Sequence, residues 1–360
     1  VDATKPLWSI DLSSLGASAT TDSDAARFAV WHYVSGIAFL QPDLLVAYFM
    51  TRGTGGKLSR RHDPQSSDPY HLTAIFFDAL AGKQLSGMRW ATEPHPLEGI
   101  YPAGDGRFLL RTADALDLYS PTQQHEFHFP LSLVANAKHQ DWYQQMSPDG
   151  KTLLLGHTVD SQSTFALLRA ADLGVIDQWK GRYYGVSIYD QNFAWLANNN
   201  QLVIRTPEAG SRVIYATSRF FCATPSFVNR DLVAVEEPID GRCRRLEVMN
   251  LDGKGVLTED FRDEQLAIAT RRAIKGDSTG EFFAVATEKV HESSFNTLEH
   301  LTRLRLRVYS LKVHAWVLTQ DPESLPRLSY DFALSPDGQL LAILSDTIVS
   351  VYRVPSTTPN

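Results

Sequence analysis

Long apolar runs are missing from this 360-residue sequence. No stretch of 18 or more apolar residues occurs, which excludes a helical membrane span. A basic excess is missing too. The chain has 34 Lys and Arg against 41 Asp and Glu, a formal charge of -7, whereas nucleic-acid binders need a cationic footprint to displace counterions. Cysteine is scarce, with Cys222 and Cys243 alone, so no Cys-x-x-Cys zinc or redox pair and no Cys-x-x-Cys-His haem site exists. A Gly-rich phosphate loop and a Gly-x-Ser-x-Gly nucleophile elbow are likewise absent. These gaps predict no cofactor and no resident metal. The 11 histidines are scattered, and none has an acid at a diagnostic spacing.

Helical periodicity is almost lacking. The best stretches, 123–127 and 263–269, do not carry an apolar i, i+3, i+4 stripe through two turns. Present instead are short runs rich in β-branched and aromatic residues, each bounded by Gly, Pro, Asn or Asp: 44–49, 152–155, 202–204, 232–235 and 340–344. That pattern is all-β. A content of 43% hydrophobic and 11% aromatic residues is ample for a large core.

The turns repeat. Gln41-Pro42-Asp43, Gly104-Asp105-Gly106, Ser147-Pro148-Asp149-Gly150, Asp190-Gln191-Asn192, Asn229-Arg230-Asp231, Gly276-Asp277-Ser278 and Ser335-Pro336-Asp337-Gly338 each precede a strongly apolar strand. Asp and Asn bond local backbone, Pro presets φ, and Gly supplies positive φ. Their spacing of roughly 40 to 60 residues matches four-stranded propeller blades. Seven turns predict a seven-bladed β-propeller, with blades near 30–92, 98–131, 140–181, 183–217, 220–260, 267–320 and 328–355. The last blade has three strands, and the orphan alternating segment 6–12 supplies the fourth, closing the ring without an open edge. Ring closure predicts one domain over 1–360.

The Ser-Pro-Asp-Gly turns at 147–150 and 335–338, each followed by a Leu-rich strand, resemble those of bacterial WD40-like and YVTN-type propeller repeat proteins. The resemblance implies the fold and little about activity, since propellers host lyases, lactonases, dehydrogenases and pure binders. No blade carries the Gly-His and Trp-Asp pairing of eukaryotic WD40 repeats.

Two blades carry long insertions between their second and third strands, at 52–71 and 288–302. The first holds Arg52, Lys57, Arg60, Arg61 and His62; the second holds Glu288, Lys289, His291, Glu292, Phe295, Glu299 and His300. Long loops on a rigid scaffold carry function or are tolerated solvated insertions. Around the same end, aromatic or cationic residues stand near the start of most first strands: Trp31, Tyr33, Tyr101, Trp142, Tyr143, Tyr183, Tyr184, Phe220, Phe221, Arg271, Arg272 and Tyr330. They either wedge between blades or form a recognition rim. The paired guanidinium groups of Arg271 and Arg272 suit a carboxylate or phosphate. The binding surface predicted here comprises Arg60, Arg61, His62, Trp142, Tyr143, Tyr184, Arg271, Arg272, Tyr330, His291 and His300.

The cysteines fall at the starts of the first and third strands of the fifth blade. Two strand spacings put their Cα atoms about 10 Å apart, beyond the roughly 7 Å limit of a disulfide, unless a loop folds over. Either a Cys222–Cys243 bridge or two buried thiols follows. His125 and His128 have metal-like spacing, but on a regular strand they point to opposite faces. The sequence begins at Val1 with a polar segment, as a chain that has lost a signal peptide would, which favours a secreted or periplasmic protein. Two functions fit: a non-enzymatic module binding a protein, a peptide or itself through insertions and rim, or a lactonase- or lyase-type enzyme with a site in the central funnel. The first is favoured.

Overall fold

The computed structural model describes residues 5–15, 17, 35–52, 70–92, 99–112, 114–133, 142–159, 162–181, 184–197, 200–262, 266–268, 274–290, 301–322, 324–326 and 330–356. Strands dominate, and the helical residues among those described are single 3-10 turns at Leu12–Leu15 and Leu131–Leu133.

The isolated first strand is β1 (Trp8–Asp11). Four-stranded antiparallel meanders follow: β2 (Ser35–Gln41), β3 (Leu44–Arg52), β4 (Tyr70–Asp78) and β5 (Gln84–Thr92); then β6 (Gly99–Pro102), β7 (Phe108–Arg111), β8 (Ala115–Tyr119) and β9 (His125–Pro130). The third blade is β10 (Trp142–Met146), β11 (Thr152–Val159), β12 (Gln162–Arg169) and β13 (Val175–Gly181). The fourth is β14 (Tyr184–Tyr189), β15 (Asn192–Ala197), β16 (Gln201–Thr206) and β17 (Gly210–Ala216). The fifth is β18 (Ser226–Phe227), β19 (Leu232–Ile239), β20 (Arg242–Asn250) and β21 (Gly255–Asp260). In the sixth, β22 (Ala267–Ile268) and β23 (Ile274–Gly276) both pair β24 (Phe282–Val290), followed by β25 (Leu301–Ser310) and β26 (Ala315–Gln320). The seventh is β27 (Tyr330–Leu334), β28 (Leu340–Ser345) and β29 (Ile348–Arg353), completed by β1 on the β29 edge. This is the seven-bladed β-propeller that the turn repeat predicts, and β1 closes the last blade as expected.

The residues cluster into two compact units. One holds the first, second and seventh blades; the other holds the third to sixth. In the first unit, Leu12, Phe39, Phe77, Leu344 and Val351 share a buried cluster, and Tyr48, Phe76, Phe108 and Tyr119 share another. In the second, Leu154, Phe165 and Phe193 join the third and fourth blades, and Tyr189, Phe221 and Val235 the fourth and fifth. Second strands such as β7 and β28 are buried on both faces, whereas outer strands such as β9 and β17 are mostly exposed. That gradient follows from stacking sheets face to face and leaving one polar edge in water.

The repeated turns work as their composition predicts. Ser147 Oγ donates to Asp149 Oδ1 at 2.6 Å and accepts from the Thr152 amide at 3.0 Å, while Gly150 has φ 68°. In the seventh blade Ser335 Oγ accepts from the Leu340 amide at 2.9 Å, with Gly338 at φ 69°. Asp277 takes the serine's place in the sixth blade, accepting from the Phe282 amide at 3.1 Å and from Thr279 Oγ1.

Cys222 and Cys243 form a disulfide with Cα atoms 5.7 Å apart. The flat-sheet spacing of about 10 Å does not apply, because β18 spans only two residues and Cys222 precedes it, free of any ladder. The Cys222 amide donates instead to the Glu236 carbonyl at 2.9 Å, which draws that segment over β19. The bridge spans 21 residues. Closing a loop of that size restrains the unfolded chain by about 3 kcal/mol. Urea unfolding with and without reductant is therefore expected to differ by that amount, and Cys222→Ser should match the reduced protein. Coincident curves would remove the bridge from the stability account.

Candidate functional site

The second-to-third-strand hairpins differ in length among blades. In the second blade β7 and β8 have 4 and 5 residues, and in the fourth β15 and β16 have 6 each. In the first blade β3 and β4 have 9 each and pair without a break from Leu44↔Asp78 to Arg52↔Tyr70. In the sixth, β24 and β25 have 9 and 10 and pair as far as Val290↔Leu301, with a register shift at Lys289. Both insertions are thus borne on extended hairpins at the same end of their blades, the end where the first strand begins. Arg52, Glu288 and Lys289 belong to strands rather than loops. The segments 53–69 and 291–300, with Arg60, Arg61, His62, His291 and His300, lie outside the described residues, as do Arg271 and Arg272.

Trp142 and Tyr143 open β10, opposite His157 and Gly156. Tyr184 opens β14, opposite Leu196, just before a register shift. These two strands are neighbours in one unit, so the backbone brings the three aromatics to adjacent strand starts. Tyr330, half-buried, opens β27 in the other unit. The Phe220-Phe221 pair splits: Phe221 is buried against Tyr215, ring centroids 6.0 Å apart, whereas Phe220 is 67% exposed. Inter-blade packing claims one and solvent the other.

Beside the disulfide, β19 carries two consecutive acids with opposite fates. Glu237 accepts from the Tyr215 hydroxyl at 2.6 Å and lies 3.8 Å from Arg245. Glu236 points to the other face and is buried, and its Oε2 has no hydrogen-bond partner among the described residues. Burial, reinforced by the negative charge of Glu288, pushes its carboxyl up to about 8. Glu236 is therefore neutral near pH 7, which an unpaired carboxylate in an apolar site must become. Sequence reasoning passed over it. The signal was available: two acids inside an otherwise apolar strand cannot both face solvent.

On the outer part of the third and fourth blades Trp179 stacks on Phe165 (5.5 Å) and meets Phe193 edge-on (4.7 Å), with the Arg205 guanidinium 5.9 Å from the Phe193 ring. Together with Val186, Trp195 and Ser211 they line a small cleft. Aromatic faces beside a cation accept amphipathic side chains.

The histidine pair corrects the expectation of opposite faces. Asp117 on β8 sits directly across from His128, and a register shift between Leu118 and Tyr119 places Tyr119 across from His125. Glu126 is the extra residue. This bulge rephases β9, so His125 and His128, three apart, project on one face with Asp117. His125 Nε2 and His128 Nδ1 lie 2.9 and 2.8 Å from Asp117 Oδ1.

Neither a family model nor a curated protein sequence matches the chain. Solved structures share its fold. The Pan2 WD40 domain of Neurospora crassa superposes with a TM-score of 0.56 at 12% identity, covering 99% of this chain and 98% of its own. A chain of the mitotic checkpoint complex superposes with a TM-score of 0.55 at 12% identity, covering 98% and 96%. At such identity the likeness establishes the fold alone.

Proposed function

We propose that this protein is an exported, non-enzymatic propeller, a single domain over 1–360, that binds a protein or peptide through the end of its blades bearing the two insertions. The carrying observation is the pair of long ladders, β3–β4 and β24–β25, which run to Arg52↔Tyr70 and Val290↔Leu301, the residues that flank 53–69 and 291–300 in sequence. Rigid ladders presenting long polar connections are how scaffolds commonly display recognition loops. Arg60, Arg61, His62, His291 and His300 supply charge to that surface, Arg271 and Arg272 an anion-binding fork, and Trp142, Tyr143, Tyr184 and Tyr330 aromatic area. The Cys222–Cys243 bridge supports an oxidising compartment such as the periplasm or the exterior. Similarity to a propeller within the mitotic checkpoint complex supports an assembly role.

Replacing 53–69 with a short Gly-Ser linker tests the reading. β3 and β4 keep their ladder, so the variant is expected to unfold at the same urea concentration as the parent. In cross-linking and co-purification from the native source, it should lose the partner that the parent retains. Equal retention by both would overturn the loop route. Turnover of a small ester or lactone by the intact protein would favour an enzyme instead.

A further inference from the structure

We infer that Asp117, His125 and His128 form a binding site for a zinc-class divalent cation on the outer edge of the second blade. Their ligand atoms all lie within 4.8 Å of one another. Two imidazole nitrogens and one carboxylate oxygen are a borderline donor set, matched to Zn2+ ahead of Mg2+ or Ca2+, which take oxygen. The backbone supplies the arrangement. A regular ladder would send His125 to the face opposite His128; the bulge at Glu126 returns it to the face of Asp117. A bulge of this kind re-aims a side chain, and here it gathers three donors that the plain strand would scatter.

The fit is sterically direct. Zinc bonds of about 2.0–2.2 Å in tetrahedral array separate neighbouring ligand atoms by about 3.4 Å. The Asp117–His125 and Asp117–His128 separations are 2.9 and 2.8 Å, so each needs to open by about half an ångström. Both rings are free to swing, with side chains 48% and 57% exposed, while Asp117 is held at 16%. The Tyr119 ring meets His125 edge-on at 5.3 Å. Without metal each ring donates an N–H to Asp117 Oδ1. On binding, the proton of each ring moves to its other nitrogen, Nδ1 of His125 and Nε2 of His128, and the freed lone pairs bind the ion. Three protein ligands leave a fourth position open to water on the solvent side.

The test is calorimetric titration of the full chain with zinc chloride, backed by cobalt(II) absorption to read the coordination geometry. One equivalent is expected to bind, with a tetrahedral cobalt spectrum. His125→Ala and His128→Ala should each weaken binding more than about 100-fold, beyond the loss usual for an outer-shell partner. Because both side chains are exposed, neither substitution should change urea unfolding. Deleting Glu126 removes the bulge yet leaves His125 two strand positions from His128, across from Tyr119 and on the face of Asp117, so zinc binding should survive; its loss would overturn the assignment. Zinc binding of equal strength in the parent and both alanine variants would overturn the assignment, as would the absence of binding at millimolar zinc.

Discussion

Removing residues 1–12 is expected to destabilise the protein by at least about 5 kcal/mol, comparable to the whole stability of many domains. The loss has three sources. The antiparallel β1–β29 ladder from Trp8↔Val351 to Asp11↔Ile348 disappears. The Trp8 indole loses its 2.8 Å hydrogen bond to the Ala79 carbonyl in the first blade and its packing against Gly82, whose φ of 68° allows the turn beneath the ring. Leu12, 1% exposed, leaves a cavity in a cluster shared by the first and seventh blades. β29 then becomes a bare edge, so size-exclusion chromatography should show self-association as well. Trp8→Ala and Leu12→Ala are expected to fall between parent and truncation, by about 2–5 kcal/mol each. A truncated chain unfolding at the same urea concentration as the parent would mean the ring is held by other contacts.

Glu236→Gln should change how stability depends on pH. The ordinary carboxyl value is 4.5, and burial with the Glu288 charge raises it to about 8 in the folded protein. Between those values the folded chain keeps a proton that the unfolded chain has released. The stabilisation is complete below 4.5 and declines by about 1.4 kcal/mol per pH unit until about 8, where the folded group also ionises. Glutamine carries no proton to lose. The difference between parent and variant unfolding free energies should be small below 4.5 and reach several kcal/mol in the variant's favour above 8. A difference that stays flat with pH would place Glu236 in contact with water.

The blade pattern was legible because its signals are local. Ser147, Asp149 and Gly150 bond within one turn, and the same chemistry recurs at Ser335 and, with Asp277, in the sixth blade. The strand pattern around 6–12 announced ring closure for a similar reason: alternation in an unpartnered segment needs a ladder. The readings that failed depended on non-local register. Period-2 logic put His125 and His128 on opposite faces because an inserted residue opposite Leu118 and Tyr119 leaves no mark in β9 itself. The Cys222–Cys243 bridge, by contrast, forms in the way the sequence required, with the entry segment folded over; what stayed open was whether it would, because a first strand of two residues could not be told from one of five or six. Glu236 and the Trp179–Phe193–Arg205 cleft arise between blades, where the facing surface comes from the next blade rather than from the strand's own neighbours in sequence.

Pairing β1 with β29 also fixes a waiting time. Ser9 and Ser350, which share a hydrogen bond, are 341 residues apart. At about 5–20 residues per second of synthesis, β1 emerges roughly 17–70 s before its partner. Trp8 and Ile10 must be kept from other strand edges throughout that interval. Ring completion therefore waits on the arrival of β29 and on whatever shields β1 until then, rather than on the intrinsic speed of zipping two strands.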